Sequence, residues 1–161
     1  MTETQIYWVR HCHRDNSVHE IDSGLTAKGR TQRKGLRKYF REIAALQGKV
    51  RILTSPKPRC RETVQNLLGK KTPAIQVVRE LDEQGSRESG RDFKKRVRLF
   101  CESTSSVGTG GTWIICSHGD WLPLAFEHFL GIRVELKKGG VAWLKQSRGE
   151  VRIHELRQRL P

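Results

Sequence analysis

Apolar residues along the chain fall into short runs separated by stretches of helical spacing. Ile6 to Val9 is a continuous apolar run of strand length that ends at Arg10-His11. Thr26 stands as a cap before Leu36, Tyr39, Phe40 and Ile43, which recur at the period of one helix face. Val50 to Leu53 predicts a second strand. Ser55-Pro56 follows it, and serine at a cap with proline in the first helical position predicts a helix that begins there. Its apolar stripe is Cys60, Val64, Leu67 and Leu68. Ile75 to Val78 predicts a short third strand, and Arg91 to about Ser103 a helix. Trp113 to Cys116 reads as a buried strand ending at Ser117-His118, and Trp121 to Leu130 as a helix stopped by Gly131. Val141 to Lys145 and Val151 to His154 predict a closing hairpin with Arg148-Gly149 in the turn.

Strands that alternate with helices predict an α/β fold, a three-layer α/β/α sandwich around a mostly parallel sheet. The length of 161 residues suits one domain spanning residues 1–161. Ligands of such folds gather at the carboxyl ends of the strands. Arg10-His11, Thr54-Ser55 and Ser117-His118 all fall at such ends, which makes arginine, hydroxyl and histidine candidates for one pocket.

Composition narrows the chemistry. With 35% hydrophobic residues gathered in runs, the chain predicts a folded protein despite 30% charged residues. Lysine and arginine number 31 against 17 acidic residues, a net charge of +14 that favours anionic partners: phosphorylated molecules, phosphoproteins or nucleic acid. Cys12, Cys60, Cys101 and Cys116 show no C-x-x-C spacing, so neither a zinc ribbon nor a redox motif is expected. No signal peptide pattern opens the chain and no apolar stretch is of membrane-spanning length, so a cytoplasmic protein without a membrane partner is expected.

Four segments together resemble the histidine phosphatase (phosphoglycerate mutase-like) superfamily. Arg10-His11-Cys12-His13-Arg14 resembles its R-H-G signature, and Leu25-Thr26-Ala27-Lys28-Gly29-Arg30-Thr31-Gln32 its L-T-x-x-G-x-x-Q segment. Ser55-Pro56-Lys57-Pro58-Arg59-Cys60-Arg61-Glu62-Thr63 resembles S-P-x-x-R-x-x-x-T, and Ser117-His118-Gly119 the second histidine motif. The resemblance covers most of the chain, in family order, and is nearest to the compact SixA-like phosphatases. It implies hydrolysis of a phosphomonoester or a protein phosphohistidine through a covalent intermediate on His11. It implies that Arg10, Arg59 and His118 hold the phosphoryl oxygens, with Gly119 beside them, and that neither cofactor nor metal takes part. Arg14 is then either an extra phosphate ligand or a solvated loop arginine. The general acid falls on Glu83, within Leu81-Asp82-Glu83, or on Glu80, while Asp82 reads as an ordinary surface carboxylate. Cys12 stands where the signature has glycine, and so puts a side chain where the backbone passes close to its neighbours.

The residue types fit this chemistry. Guanidinium forks match phosphate oxygens, and a neutral imidazole is a nucleophile at ordinary pH. The helix expected after Ser55 would aim its N–H groups toward the bound anion. Arg87, Arg91, Lys94, Lys95, Arg96 and Arg98 crowd the next segment, either as a substrate-attracting stripe or as a solvated helix face. A metal cluster at His11, Cys12 and His13 is excluded because successive residues at a strand end point to opposite sides. Gly24 to Thr31 lacks the lysine of a phosphate-binding loop, and Glu20 to Ser23 is no buried strand. No cysteine carries the arginine spacing of cysteine phosphatases. His128 reads as a packed or edge residue, His13, His19 and His154 have no assigned partner, and Trp113 and Trp143 read as core. The competing function is a weak or inactive module of the same fold that binds nucleic acid or another polyanion.

Overall fold

The computed structural model describes residues 3–17, 22–43, 46, 48–106, 110–147 and 149–161. His19, Glu20 and Arg148 lie outside the described residues. The elements are β1 (Thr4–Arg10), α1 (Ala27–Glu42), β2 (Val50–Thr54), α2 (Pro58–Val64), β3 (Ile75–Val77), α3 (Gly90–Ser106), β4 (Gly111–Ser117), α4 (Trp121–Leu130), β5 (Val141–Ser147) and β6 (Glu150–Arg157). One six-stranded sheet runs in the order β3-β2-β4-β1-β5-β6. The ladders β3-β2, β2-β4 and β4-β1 are parallel, and β5 and β6 add on as an antiparallel hairpin.

The three layers follow from strand alternation. Ile6 and Trp8 of β1 enter one core with Trp113 and Ile115 of β4, under Phe93 and Val97 of α3 and Trp121 and Phe126 of α4. Tyr7 and Val9, one residue out of phase, enter the other core with Ile114 and Cys116, under Leu36 and Phe40 of α1 and Cys60 and Val64 of α2. β1 and β4 therefore carry unbroken apolar runs, Ile6 to Val9 and Trp113 to Cys116, as strands covered on both faces do.

Several ends fall where the sequence placed them. Thr26 caps α1, its hydroxyl accepting from Gly29 N–H at 3.1 Å. Gly131 closes α4 in the left-handed region, φ 69°. The helix expected from Ser55-Pro56 starts later. Pro58 occupies its first turn, Lys57 is the cap, and α2 ends at Val64, before Leu67 and Leu68. Pro58 serves there as well as Pro56, so the rule cannot choose between two prolines spaced so closely. A helix of seven residues also offers little dipole to an anion. β3 stops at Val77 rather than Val78. His128 is exposed, edge-on to Phe129 at 5.2 Å, and His154 packs edge-on to Trp143 at 4.0 Å. Trp113 is buried, and Trp143 stacks on Tyr7. Among the described residues, no helix is long and apolar enough to cross a membrane.

The segment after β3 is held by its backbone. Arg96 of α3 donates to the carbonyls of Glu80, Asp82 and Glu83 at 2.8, 3.0 and 3.2 Å, and to the Glu88 carboxylate at 2.7 Å. Trp121 Nε1 donates to Glu80 O and Ser117 Oγ to Leu81 O, both at 2.7 Å. Arg91, Lys94, Lys95 and Arg98 are exposed and line a surface groove with one another, apart from this fastening. Arg96→Ala is expected to cost about 1–3 kcal/mol, as charge-assisted hydrogen bonds do. Amide exchange should accelerate at Glu83 and Gly85 while β1 keeps its protection. Unchanged exchange at those two amides would show that Arg96 does not hold the segment.

Candidate active site

The parallel ladder of β1 on β4 sets Arg10 opposite Ser117. The chain leaves each strand at the next residue, and His11 N–H donates to Ser117 O at 3.1 Å. His11 and His118 consequently emerge together, their ring centroids 5.3 Å apart. Ser55 leaves the neighbouring β2, its N–H donating to Cys116 O at 3.1 Å. Arg59 rises from the first turn of α2 and is 1% exposed. The strand ends thus bring His11, Arg10, Arg59 and His118 near one another.

Hydrogen bonds fix both imidazoles. His11 Nδ1 lies 2.8 Å from the Cys12 carbonyl. A carbonyl only accepts, so Nδ1 carries the proton and Nε2 keeps a free lone pair. His118 Nε2 lies 2.7 Å from Ser55 Oγ, and Nδ1 lies 3.4 Å from Arg59 Nη2. Arginine only donates, so Nδ1 accepts and Nε2–H donates to Ser55. Ser55 Oγ–H in turn donates to Asp82 Oδ1 at 3.3 Å. Burial, aided by Arg59 and Arg10, lowers the His11 pKa from 6.5 to about 3. Burial, together with His11 and Arg59, lowers that of His118 to about 2.

Carboxylates meet these cations at the rim. Glu83 Oε1 contacts Arg59 Nη2 at 2.6 Å, and its other oxygen lies 3.7 Å from His118 Nδ1. Asp22 bridges Lys57 Nζ at 3.1 Å and Arg59 Nη1 at 3.7 Å. Glu80 is exposed and takes part through its backbone carbonyl, which separates it from Glu83. Asp82 is no surface carboxylate: its side chain is 28% exposed, lies 3.5 Å from His118 Nε2, and burial raises its pKa. Among the described residues, Arg59 Nε and Nη1 and Arg10 Nε are buried with no hydrogen-bond partner. Buried guanidinium donors in that condition are suited to an oxyanion.

The histidine phosphatase superfamily (branch 1) model matches residues 6–87. The chain belongs to this superfamily. Membership supports phosphatase activity. Solved structures with the same fold include the alpha-ribazole phosphatase of Shigella flexneri, at 17% identity and TM-score 0.80, covering 98% of each chain. A phosphoserine phosphatase variant from Entamoeba histolytica in complex with phosphoserine aligns at 14% identity and TM-score 0.76, covering 96% of each chain. The protein histidine phosphatase SixA complexed with tungstate aligns at 15% identity and TM-score 0.73, covering 95% of this chain and 96% of its own. No curated protein sequence matches the chain.

The superfamily's motifs have visible physical reasons here. Thr63 Oγ1 accepts Cys12 N–H at 2.9 Å and donates to Arg59 O at 2.6 Å, locking the turn after β1 to α2. Gly29 lets α1 touch the turn, since a Cβ there would lie 2.1 Å from His13 O. At Gly119 a Cβ would lie 2.5 Å from the Arg10 guanidinium, so glycine leaves room for that group. Gln32 accepts His13 N–H at 2.7 Å, and His13 Nδ1 pairs with Thr26 Oγ1 at 2.9 Å, a partner the sequence did not reveal. Cys12 meets no obstacle. Asn66 is the one non-glycine residue with positive φ among the described residues, and the Cys12 side chain is buried in the core beneath α1 and α2. Arg14 forms a bridge with Leu25, and its charge acts on both His118 and Lys138, which places it near the mouth. The sequence reading missed Asp22 and Lys138, which lie in none of its motifs, and it offered the Thr54-Ser55 strand end to the pocket without pairing Ser55 with His118.

The lowered histidine pKa values carry a stability consequence. Below its ordinary 6.5 each histidine is protonated in the unfolded chain but stays neutral in the folded one down to about 3 and about 2. The unfolded state then binds more protons, so stability falls as pH drops through that window and is level above it. Each residue contributes a slope of up to roughly 1.4 kcal/mol per pH unit. Urea unfolding of His118→Gln between pH 7 and 4 should show a shallower decline than the parent. An identical slope would refute the buried neutral state.

Proposed function

We propose that the chain hydrolyses phosphomonoesters through a covalent phosphohistidine on His11. The observation that carries this is the buried His11 imidazole, held by its Nδ1–H on the Cys12 carbonyl at 2.8 Å beside two guanidiniums. Its Nε2 lone pair is the only nucleophilic position left on the ring. In the first step Nε2 attacks phosphorus and the bond to the ester oxygen breaks. Arg10 and Arg59 bind the phosphoryl oxygens as charge shifts onto them, His118 joins them once the arriving anion brings a proton onto its Nδ1, and Arg14 adds a further cation at the mouth. The Gly119 turn keeps the Arg10 fork in place. Glu83, freed from Arg59 as the phosphoryl group takes that guanidinium, picks up a proton from solvent and passes it to the leaving oxygen. In the second step water attacks the phosphohistidine, the P–N bond breaks, and Glu83 recovers a proton from the water. Phosphate leaves and His11 is again neutral.

A carboxylate at the mouth favours an oxygen leaving group, which is a strong base, over the imidazole of a phosphohistidine substrate. A module that merely bound polyanions would gain nothing from a neutral imidazole among the cations. No step calls on a metal, and hydrolysis is expected to persist in a strong chelator.

His11→Ala should retain the parent circular dichroism and lose at least about a thousandfold in kcat/KM on nitrophenyl phosphate. A folded His11→Ala protein with full activity would overturn the reading. Glu83→Gln should slow an alkyl phosphate more than nitrophenyl phosphate, because the poorer leaving group needs the proton more. An equal effect on both would move the acid role away from Glu83, and Asp82→Asn measured on the same pair would test the next carboxylate.

A further inference from the structure

A cavity of about 570 Å³ lies beside the reaction site and shares Arg10 with it. Lys28, Lys137, Lys138 and Arg159 also line it, and among the described residues none of those lining it is acidic. Asp120 and Glu135 act on Arg10 electrostatically but do not line this space. The volume suits a small molecule rather than a protein surface.

The walls are fastened rather than loose. Gly139 N–H donates to the carbonyls of Arg10 and His11 at 3.1 and 3.2 Å, so the turn carrying Lys137 and Lys138 is bonded to the nucleophile's own backbone. Gln32 Nε2 donates to Lys138 O at 3.0 Å, and Lys137 N–H donates to Gln158 Oε1 at 2.7 Å. Gly139 takes φ 77°, which lets the chain reverse there. Lys28 stands in the first turn of α1, beside the Thr26 cap that contacts His13. The Lys138 ammonium is partly desolvated and set among Arg10, Arg14, Arg59 and Lys28, which together lower its pKa. Like charges held this close repel, and an anion placed among them relieves the repulsion. The hydrolysed phosphoryl group interacts with Arg10, Arg59 and His118, leaving Lys28 and Lys138 for a second anion.

We infer that this cavity receives a second phosphate of the same small-molecule substrate, so that the chain prefers bisphosphorylated compounds to monophosphates. The inference rests on reading the His11 pocket as a phosphomonoester site. Compact ammonium groups bind phosphate as point charges, which suits a group with one free end and several orientations.

The test is kcat/KM for alkane-α,ω-diyl bisphosphates of three to six carbons against alkyl monophosphates of matched length. The parent should favour the best bisphosphate by about tenfold or more, and less so as salt rises. Lys28→Gln with Lys138→Gln should bring that ratio to within about twofold of unity, while Lys95→Gln, on the exposed face of α3, should leave it unchanged. Equal rates on both series in the parent, or a ratio that survives the Lys28 and Lys138 substitutions, would overturn the second-phosphate site and leave the hydrolase reading standing. If the parent hydrolyses neither series, the hydrolase reading fails, and calorimetry decides the subsite. Bisphosphate binding about tenfold tighter than monophosphate binding, lost in the double variant, would uphold it, and equal binding would overturn it.

Discussion

Arg10 faces Ser117 across the β1–β4 ladder, and everything at the site follows from that register. The residues after each partner are the two histidines, and they leave the sheet side by side because parallel strands end on the same edge. A slip of one residue would turn every side chain of β1 to the opposite face, exchanging Ile6 and Trp8 for Tyr7 and Val9 in the two cores. The aromatic residues on β1 make such a slip costly, since Trp8 packs on Trp121 and Tyr7 on Phe40. The apolar core therefore sets the positions of His11 and His118.

The second constraint is charge. Two guanidiniums and a lysine converge on imidazoles that burial keeps neutral. Were both rings protonated, the cluster would repel itself with few nearby counter-charges. Glu83 and Asp22 instead meet Arg59 from the solvent side, where they remain partly exposed. This arrangement keeps the guanidinium oriented while leaving buried N–H groups on Arg59 and Arg10 for an oxyanion. Ser55 plays a similar part for His118, taking its Nε2 proton into a chain that ends on Asp82.

Much of this was legible in the sequence because the strand ends carry their own marks. Apolar runs that stop at Arg10-His11 and Ser117-His118 locate both the sheet edge and the pocket. Local signals such as the Thr26 cap and Gly131 also read correctly, since they depend on near neighbours alone. The failures share a cause. Ser55 was read both as a helix cap and as a hydroxyl at a strand end, and only the second holds, since its Oγ meets His118 far along the chain while Lys57 is the cap. Asp82 resembled a loop carboxylate, and Arg96 one cation in a crowd. Their functions depend on which element lies across from them, which no local pattern encodes. Lys138 is the same case, brought to the nucleophile by the turn into β5.

The segment bearing Asp82 and Glu83 is gripped at its main-chain oxygens and by the buried Leu81 side chain, with further bonds from the Asp82 and Glu83 carboxylates to Ser55 and Arg59. Arg96, Trp121 and Ser117 take hold of carbonyls that any residue would supply. Placement is thereby partly uncoupled from identity. Replacing the side chains at 82 or 83 removes the bonds to Ser55 and Arg59 but leaves the carbonyl anchors, so the loop's course depends on Arg96, Trp121 and Ser117 more than on its own carboxylates. The scaffold behaves as a socket in which those carboxylates can vary across descendants of this chain while the loop stays at the strand edge.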